Sequence, residues 1–190
     1  EKLLDPEPIK RDKPVALRVK ITKQEDEMTL DYSDSDPQVP GYVNSSWANT
    51  VSSTYLAVFY ALPGGDVKRN EGALRPFHII APEGSVLNPR FPAALTLCSC
   101  ATAECLIELV WRALSQAIPE WVTAGCGRIS QDCIIGFNPR TKRQFAGLDF
   151  LDNQLGAGAT EGYDGWPTAG IANGLGQLAL PDYEVTELVW

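Results

Sequence analysis

The chain has 190 residues, 44% of them hydrophobic and 21% charged, with 16 Lys and Arg against 24 Asp and Glu for a net charge of -8. Such a composition fits a globular fold of ordinary size. The acidic balance and dispersed basic residues argue against a nucleic-acid backbone as partner. No run reaches the roughly 18–20 apolar residues that span a bilayer.

Residues 1–14 are polar and read as a linker or the edge of a preceding domain. The folded unit is expected over 15–190, and both ends read as cut, so the chain is expected to be a portion of a larger one. From Val15 the apolar residues alternate (Val15, Leu17, Val19, Ile21), which predicts a strand with one wet face. Lys23–Glu27 is a charged turn, and Met28, Leu30 and Tyr32 alternate again, giving an antiparallel hairpin. Ser33-Asp34-Ser35-Asp36 places two hydroxyls and two carboxylates together. That chemistry suits either a turn or oxygen ligation of a hard cation, although the later residues of a calcium loop are out of register. Asn44-Ser45-Ser46 offers helix N-caps. Trp47, Val51, Tyr55, Val58 and Leu62 then recur at helical spacing, with the aromatics expected in the core, until Pro63-Gly64-Gly65 stops the helix.

Phe77–Ala81 is almost wholly apolar and predicts a strand covered on both faces, with His78 as a core imidazole. Pro82-Glu83-Gly84-Ser85 is a turn, and Asn88-Pro89 and Phe91-Pro92 stiffen the crossing that follows. Leu106, Leu109, Val110, Ala113, Leu114 and Ala117 form an amphipathic helix that ends at Pro119. Trp121–Val122 and Cys133–Phe137 read as strands, Asn138–Thr141 as a turn and Gln144–Leu151 as a returning strand. Gly156–Gly176 is loop-like and rich in glycine. Together these elements predict an α+β fold: hairpins and a mixed sheet carrying two long amphipathic helices.

Several chemistries lack their residues. There is no phosphate-binding GxxxxGK[ST] loop and no HExxH. His78 is the only histidine, so a Ser-His or Cys-His pair has one possible base, held in a strand. The five cysteines, odd in number and beside apolar segments, read as reduced thiols of a cytoplasmic protein. Cys98, Cys100 and Cys105 form a weak alternative soft-metal set, with no CxxC pair to complete it. Asp152, Glu161 and Asp164 in the glycine-rich stretch either orient a polar ligand or decorate a surface loop.

Three motifs, taken together, resemble the hydantoinase B/oxoprolinase family: Asp31–Asn44 (DYSDSDPQVPGYVN), Ala81–Ala94 (APEGSVLNPRFPAA) and Glu161–Gly165 (EGYDG). The resemblance runs from about Val15 to the last residue. It implies a B-type subunit that works with a hydantoinase A-type partner carrying an actin-like site for ATP and Mg. It also implies a small polar carbonyl substrate, and either hydrolysis of a cyclic amide such as a hydantoin, oxoproline or lactam, or carboxylation of a ketone of the acetone or acetophenone type. ATP would phosphorylate an inert carbonyl or enol oxygen, and the B-type chain would complete the reaction. A divalent metal such as Zn or Mn would have its ligands outside this segment. Asp36, Gly41 and Asn44 fall on the first motif, Gly84, Asn88 and Pro89 on the second, and Asp164, Gly165 and Asn173 on the last. The candidate site residues are therefore Asp36, Asn44, Asp164 and Asn173. Two places depart from the family pattern: Leu97–Ala103 (LCSCATA) stands for a Gly-Gly-Asn and Glu-Thr-Ser run, and Gly125–Asp132 (GCGRISQD) for a Ser-Gln-Gly-Thr-Met-Asn-Asn run. These departures weigh against ordinary cyclic-amide hydrolysis and leave room for the carboxylase branch, and they also motivate the alternative of a structural subunit without chemistry. A binding module without turnover, resting on the glycine-rich loop, is the third reading.

Overall fold

The computed structural model describes residues 2–4, 14–62, 68, 70–125, 132–149 and 158–165. Strand β1 (Lys2–Leu4) pairs antiparallel with β2 (Val15–Leu17). After a short break, β3 (Lys20–Gln24) and β4 (Glu27–Asp31) form the expected hairpin, closed by Glu25 in the left-handed region at φ 53°. Helix α1 (Trp47–Ala61) and the single-turn α2 (Glu71–Leu74) lead to β5 (Phe77–Ile80). β5 pairs parallel with β4, which makes a mixed sheet in the order β3-β4-β5. Helix α3 (Ala103–Leu114) packs on α1, and β6 (Asp132–Asn138) with β7 (Arg143–Asp149) forms a second hairpin. The predicted α+β class with two long helices is the observed one.

The core is built where α3 meets α1 and the β2–β4 region, with Leu17, Leu30, Tyr32, Val58, Leu87, Leu106 and Ile107 at its centre. Burial of each such aliphatic side chain contributes about 1.5–3 kcal/mol. Two full turns of α3, Ala103 to Val110, are buried on every side. Its sequence shows an amphipathic stripe because Glu104 and Glu108 interrupt the apolar run, yet both carboxylate residues are themselves buried. A π-helical turn over Cys98–Thr102 runs straight into α3 and occupies the LCSCATA departure.

Four expectations differ from the structure. Helix α1 buries Thr50, Ser53, Thr54, Ala57, Val58 and Ala61, not its aromatic stripe, and Trp47 and Tyr60 are exposed. Small residues let α3 approach so closely that the Trp111 indole N–H donates to the Ala57 carbonyl at 2.9 Å. Strand β2 breaks the alternation, burying Val15, Ala16 and Leu17 together, because the turn after β4 covers its second face. Trp121 ends a 3-10 turn over Pro119–Trp121 instead of starting a strand. Finally, β5 lies at the sheet edge and alternates: Phe77 and Ile79 face the core while His78 and Ile80 face out. The His78 side chain is 50% exposed with Nε2 3.3 Å from Glu27 Oε2, so it is a surface residue and not a core imidazole.

Candidate functional site

The first two motif segments lie side by side and are joined by backbone bonds and by the side chains of Gln38 and Asn44. Tyr32 N–H donates to the Ile80 carbonyl at the end of the sheet. Beyond it, Pro37 and Ser85 form an antiparallel bridge, with Gln38 N–H donating to Gly84 O at 2.9 Å and Val86 N–H to Asp36 O at 2.9 Å. Ser45 N–H then donates to Val86 O at 2.7 Å, and Leu97 N–H to Tyr42 O at 3.1 Å. Gly84 sits at φ +91°, a left-handed turn position that a side chain resists. Its N–H donates to Asn88 O, while the Asn88 amide donates to Ala81 O at 3.0 Å and closes the turn on itself.

Side chains lock the frame where the backbone cannot. The Asp36 carboxylate accepts from Ala16 N–H at 2.9 Å through Oδ2 and from Arg18 Nη1 at 3.2 Å through Oδ1. Ser35 Oγ accepts from Arg18 N–H and donates to Arg18 O. These contacts fasten the turn over β2. Asn44 is fully buried. Its Oδ1 accepts from Val39 N–H at 2.8 Å, and its Nδ2 is shared among the carbonyls of Val39 at 2.8 Å, Gly41 at 2.8 Å and Ala94 at 3.0 Å. The helix N-cap is Ser46, whose hydroxyl accepts from Asn49 N–H. Gln38 clasps Arg90, accepting from its N–H at 2.7 Å. Inside the frame, Thr50 Oγ1 donates to Leu87 O at 2.7 Å and Thr102 Oγ1 to Val43 O, which ties in α1 and the start of α3.

Electrostatics are mild at this site. Burial pushes the Tyr32 hydroxyl well above the usual phenol range, opposed by its 2.9 Å contact with Thr54 Oγ1. The Ser33 hydroxyl and N–H hold the Asp31 carboxyl below its ordinary value. Ser85 Oγ is buried with no hydrogen-bond partner among the described residues.

Asp36 and Asn44 thus belong to one frame, with Asn44 closed in and Asp36 partly open. Asp164 is exposed and follows a separate Thr160–Tyr163 turn, and Asn173 lies outside the described residues. Cys98 is half-buried on the π-helical turn and Cys105 is buried on α3, both as free thiols. The Cys100 side chain is outside the described ones. Among the described residues, no group of three or more His, Cys, Asp or Glu side chains stands close enough to hold a metal ion, and no helix is long and apolar enough to cross a membrane. Ser45, Thr50 and Thr102 were not legible as frame residues, since each serves a carbonyl brought close only by the tertiary fold.

A family model, hydantoinase B/oxoprolinase, matches residues 3–190. The chain belongs to the hydantoinase B/oxoprolinase family. Within this family it is 35% identical over 158 residues to the caprolactamase subunit beta of Pseudomonas jessenii, an alignment covering 81% of this chain and 27% of that protein. It therefore spans about a quarter of that relative's length. The solved structure of the ATP-dependent caprolactamase of the same organism superposes with a TM-score of 0.73 at 31% identity, covering 92% of this chain and 30% of that one. A nucleotide-free acetone carboxylase structure shares the fold, with a TM-score of 0.76 at 22% identity over 92% of this chain and 24% of the other.

Proposed function

We propose that this chain is part of the B-type subunit of an ATP-dependent enzyme acting on a small carbonyl compound, with cyclic-amide hydrolysis as the reaction. The observation that carries the reading is the 35% identity to a caprolactamase beta subunit over 81% of the chain. A lactam carbonyl is a poor electrophile, and phosphorylation of its oxygen by ATP would make the ring open to water. In this reading a hydantoinase A-type partner holds ATP and Mg, and a divalent metal such as Zn or Mn, if used, is held by residues of the subunit outside this segment. No described cluster fits a metal, so no step is assigned to one here. The segment's own part is positional: it presents a stiff hydrogen-bonded frame on which the remaining subunit builds its site. Asp36, whose carboxylate is partly exposed, is our candidate to meet a polar substrate, with Asp164 and Asn173 as further candidates on the last motif.

Ketone carboxylation is the second reading, for which the Cys and Arg residues in Leu97–Ala103 and Gly125–Asp132 leave room. A non-catalytic, structural role is the third. A substrate-dependent ATPase assay on the full-length protein with its partner separates them. Caprolactam, hydantoin or 5-oxoproline should stimulate phosphate release and yield the ring-opened acid. Stimulation by acetone with bicarbonate incorporation would replace hydrolysis by carboxylation, and no stimulation by any of them would leave the structural role.

A further inference from the structure

The three-stranded sheet has two unequal edges. β3 is guarded: four of its five residues are exposed, and Lys20 and Lys23 stand on it. Charged side chains of that kind discourage a further strand. β5, at the other edge, carries neither lysine nor proline. Met28 N–H donates to the Pro76 carbonyl and Tyr32 N–H to that of Ile80, both at 2.8 Å. In a strand the N–H and C=O of one residue point to the same side, and the side alternates along the chain. His78 and Ile80 therefore turn their peptide groups to β4, and Phe77 and Ile79 turn theirs away. Among the described residues nothing bonds to those outward groups. The open stretch ends at Ala81, whose carbonyl already accepts from Asn88 Nδ2 at 3.0 Å.

A groove of about 420 Å³ lies against the same strand. Tyr55, Leu56 and Phe59 of α1 form one wall and Leu74 of α2 the other, with Asn70 and Glu71 exposed beside it. The three α1 residues share one helical face, part of the aromatic stripe that the contact with α3 leaves out. Phe59 also meets Phe77 edge-on, with ring centroids 6.2 Å apart, and α2 leads directly into β5. A slot of that size suits a small ligand too, yet only an extended chain satisfies the main-chain edge beside it. On the other face of the sheet Ile80 is 44% exposed, so a strand beside β5 would meet apolar surface on both sides.

We propose that an extended segment from the part of the subunit outside this chain adds to the free edge of β5 as a fourth strand. It exchanges main-chain bonds with Phe77 and Ile79 and lays alternate apolar side chains into the α1–α2 groove. The inference rests on the reading of the chain as a portion of a larger subunit, and not on the reaction that subunit performs. The alignment with the caprolactamase beta subunit covers 27% of that protein. Ample chain for such a strand thus lies outside, in the same molecule and at high effective concentration. The test is hydrogen exchange on the full-length protein, without ATP or substrate, resolved to single amides by electron-transfer fragmentation. With β4 as sole neighbour, His78 and Ile80 would exchange slowly and Phe77 and Ile79 fast. The expected result is protection of all four amides within about tenfold of one another, unchanged by dilution. Tyr55→Lys, at the half-buried groove wall, should speed Phe77 and Ile79 by at least about tenfold and leave His78 and Ile80 within about threefold. Fast exchange at Phe77 and Ile79 in the parent would overturn the proposal. So would protection lost on dilution, which marks a second copy, protection gained only with the partner subunit, or no response to Tyr55→Lys. A failed ATPase assay leaves this exchange pattern standing, so the two readings fail separately.

Discussion

Asn44 offers the sharpest test of how the motif segments are held. Its side chain makes four hydrogen bonds, at 2.8, 2.8, 2.8 and 3.0 Å, from a fully buried position. Three hydrogens serve these four contacts, and at a net contribution of about 1.3 kcal/mol per hydrogen, within the usual range for buried bonds, their sum is about 4 kcal/mol. The Gly41 and Ala94 residues are only half-buried, and water can reach their carbonyls once the amide is gone. That recovers part of the loss and leaves about 3 kcal/mol for Asn44→Ala. Local opening of the frame then becomes more than about a hundredfold more populated, at 1.4 kcal/mol per decade. Hydrogen exchange read by mass spectrometry on the full-length protein follows this directly, through peptides covering Val39–Asn44 and Ala94–Leu97. Asn44→Asp is the companion variant. It keeps the shape but turns a carboxylate toward three carbonyls, so it should be worse than alanine at pH 7. It should recover as pH falls, because burial raises that carboxyl's pKa and the protonated form can donate. Exchange unchanged within about threefold in Asn44→Ala, alongside a tenfold loss of turnover, would refute the structural reading and make Asn44 a substrate contact.

Tyr32→Phe bears on alkaline stability. The folded-state pKa of Tyr32 lies above the unfolded value of about 10, so its contribution is complete below pH 10 and is lost as pH rises beyond it. Melting curves from pH 8 to 11 should fall more steeply for the parent than for the variant. Asp36→Ala should lower stability by about 1–2 kcal/mol and Asp36→Asn by less than about 1, since a half-exposed ion pair is weak while the acceptor for Ala16 N–H is worth keeping; thermal melts of the two variants check the order. Ser85→Ala should leave the melting temperature unchanged or raise it, because a buried hydroxyl without a partner costs free energy; a clear fall would show that the hydroxyl has a partner elsewhere in the subunit. Gly158→Ala should separate the Ala124–Ala159 pairing and speed exchange at Ala124, since the new methyl would overlap the Ala124 carbonyl.

The hairpin of β3 and β4, both long helices and the β6–β7 hairpin were legible because each follows from period and punctuation within one short window. What failed depended on distant chain. Val15–Leu17 alternates in sequence, yet Ser35 and Asp36 arrive from twenty residues away to cover its wet face. His78 sits in an apolar run, yet a strand at a sheet edge buries only alternate residues. The aromatic stripe of α1 outweighs its small residues in any hydrophobicity count, yet contact with α3 selects the small ones. At the candidate site, the motifs pointed to Asp36 and Asn44 and to the turn at Gly84. Sequence could not tell a side chain that meets a ligand from one consumed by carbonyls, as the carbonyls of Gly41 and Ala94 become neighbours of Asn44 only on folding.

Several bonds in and around the first two motif segments are donated and accepted by the main chain: Gln38 to Gly84, Val86 to Asp36, Ser45 to Val86, Leu97 to Tyr42. Codon changes alter side chains and, proline apart, leave peptide groups in place. The geometry of this part is therefore insulated from genetic drift at its outward positions, such as Pro40, Tyr42 and Phe91, whose side chains point away from those bonds. The side chains of Asp36, Gln38, Asn44, Thr50, Asn88 and Thr102 are answerable for the rest of its shape. A lineage can thus exchange those outward side chains while inheriting the same platform intact.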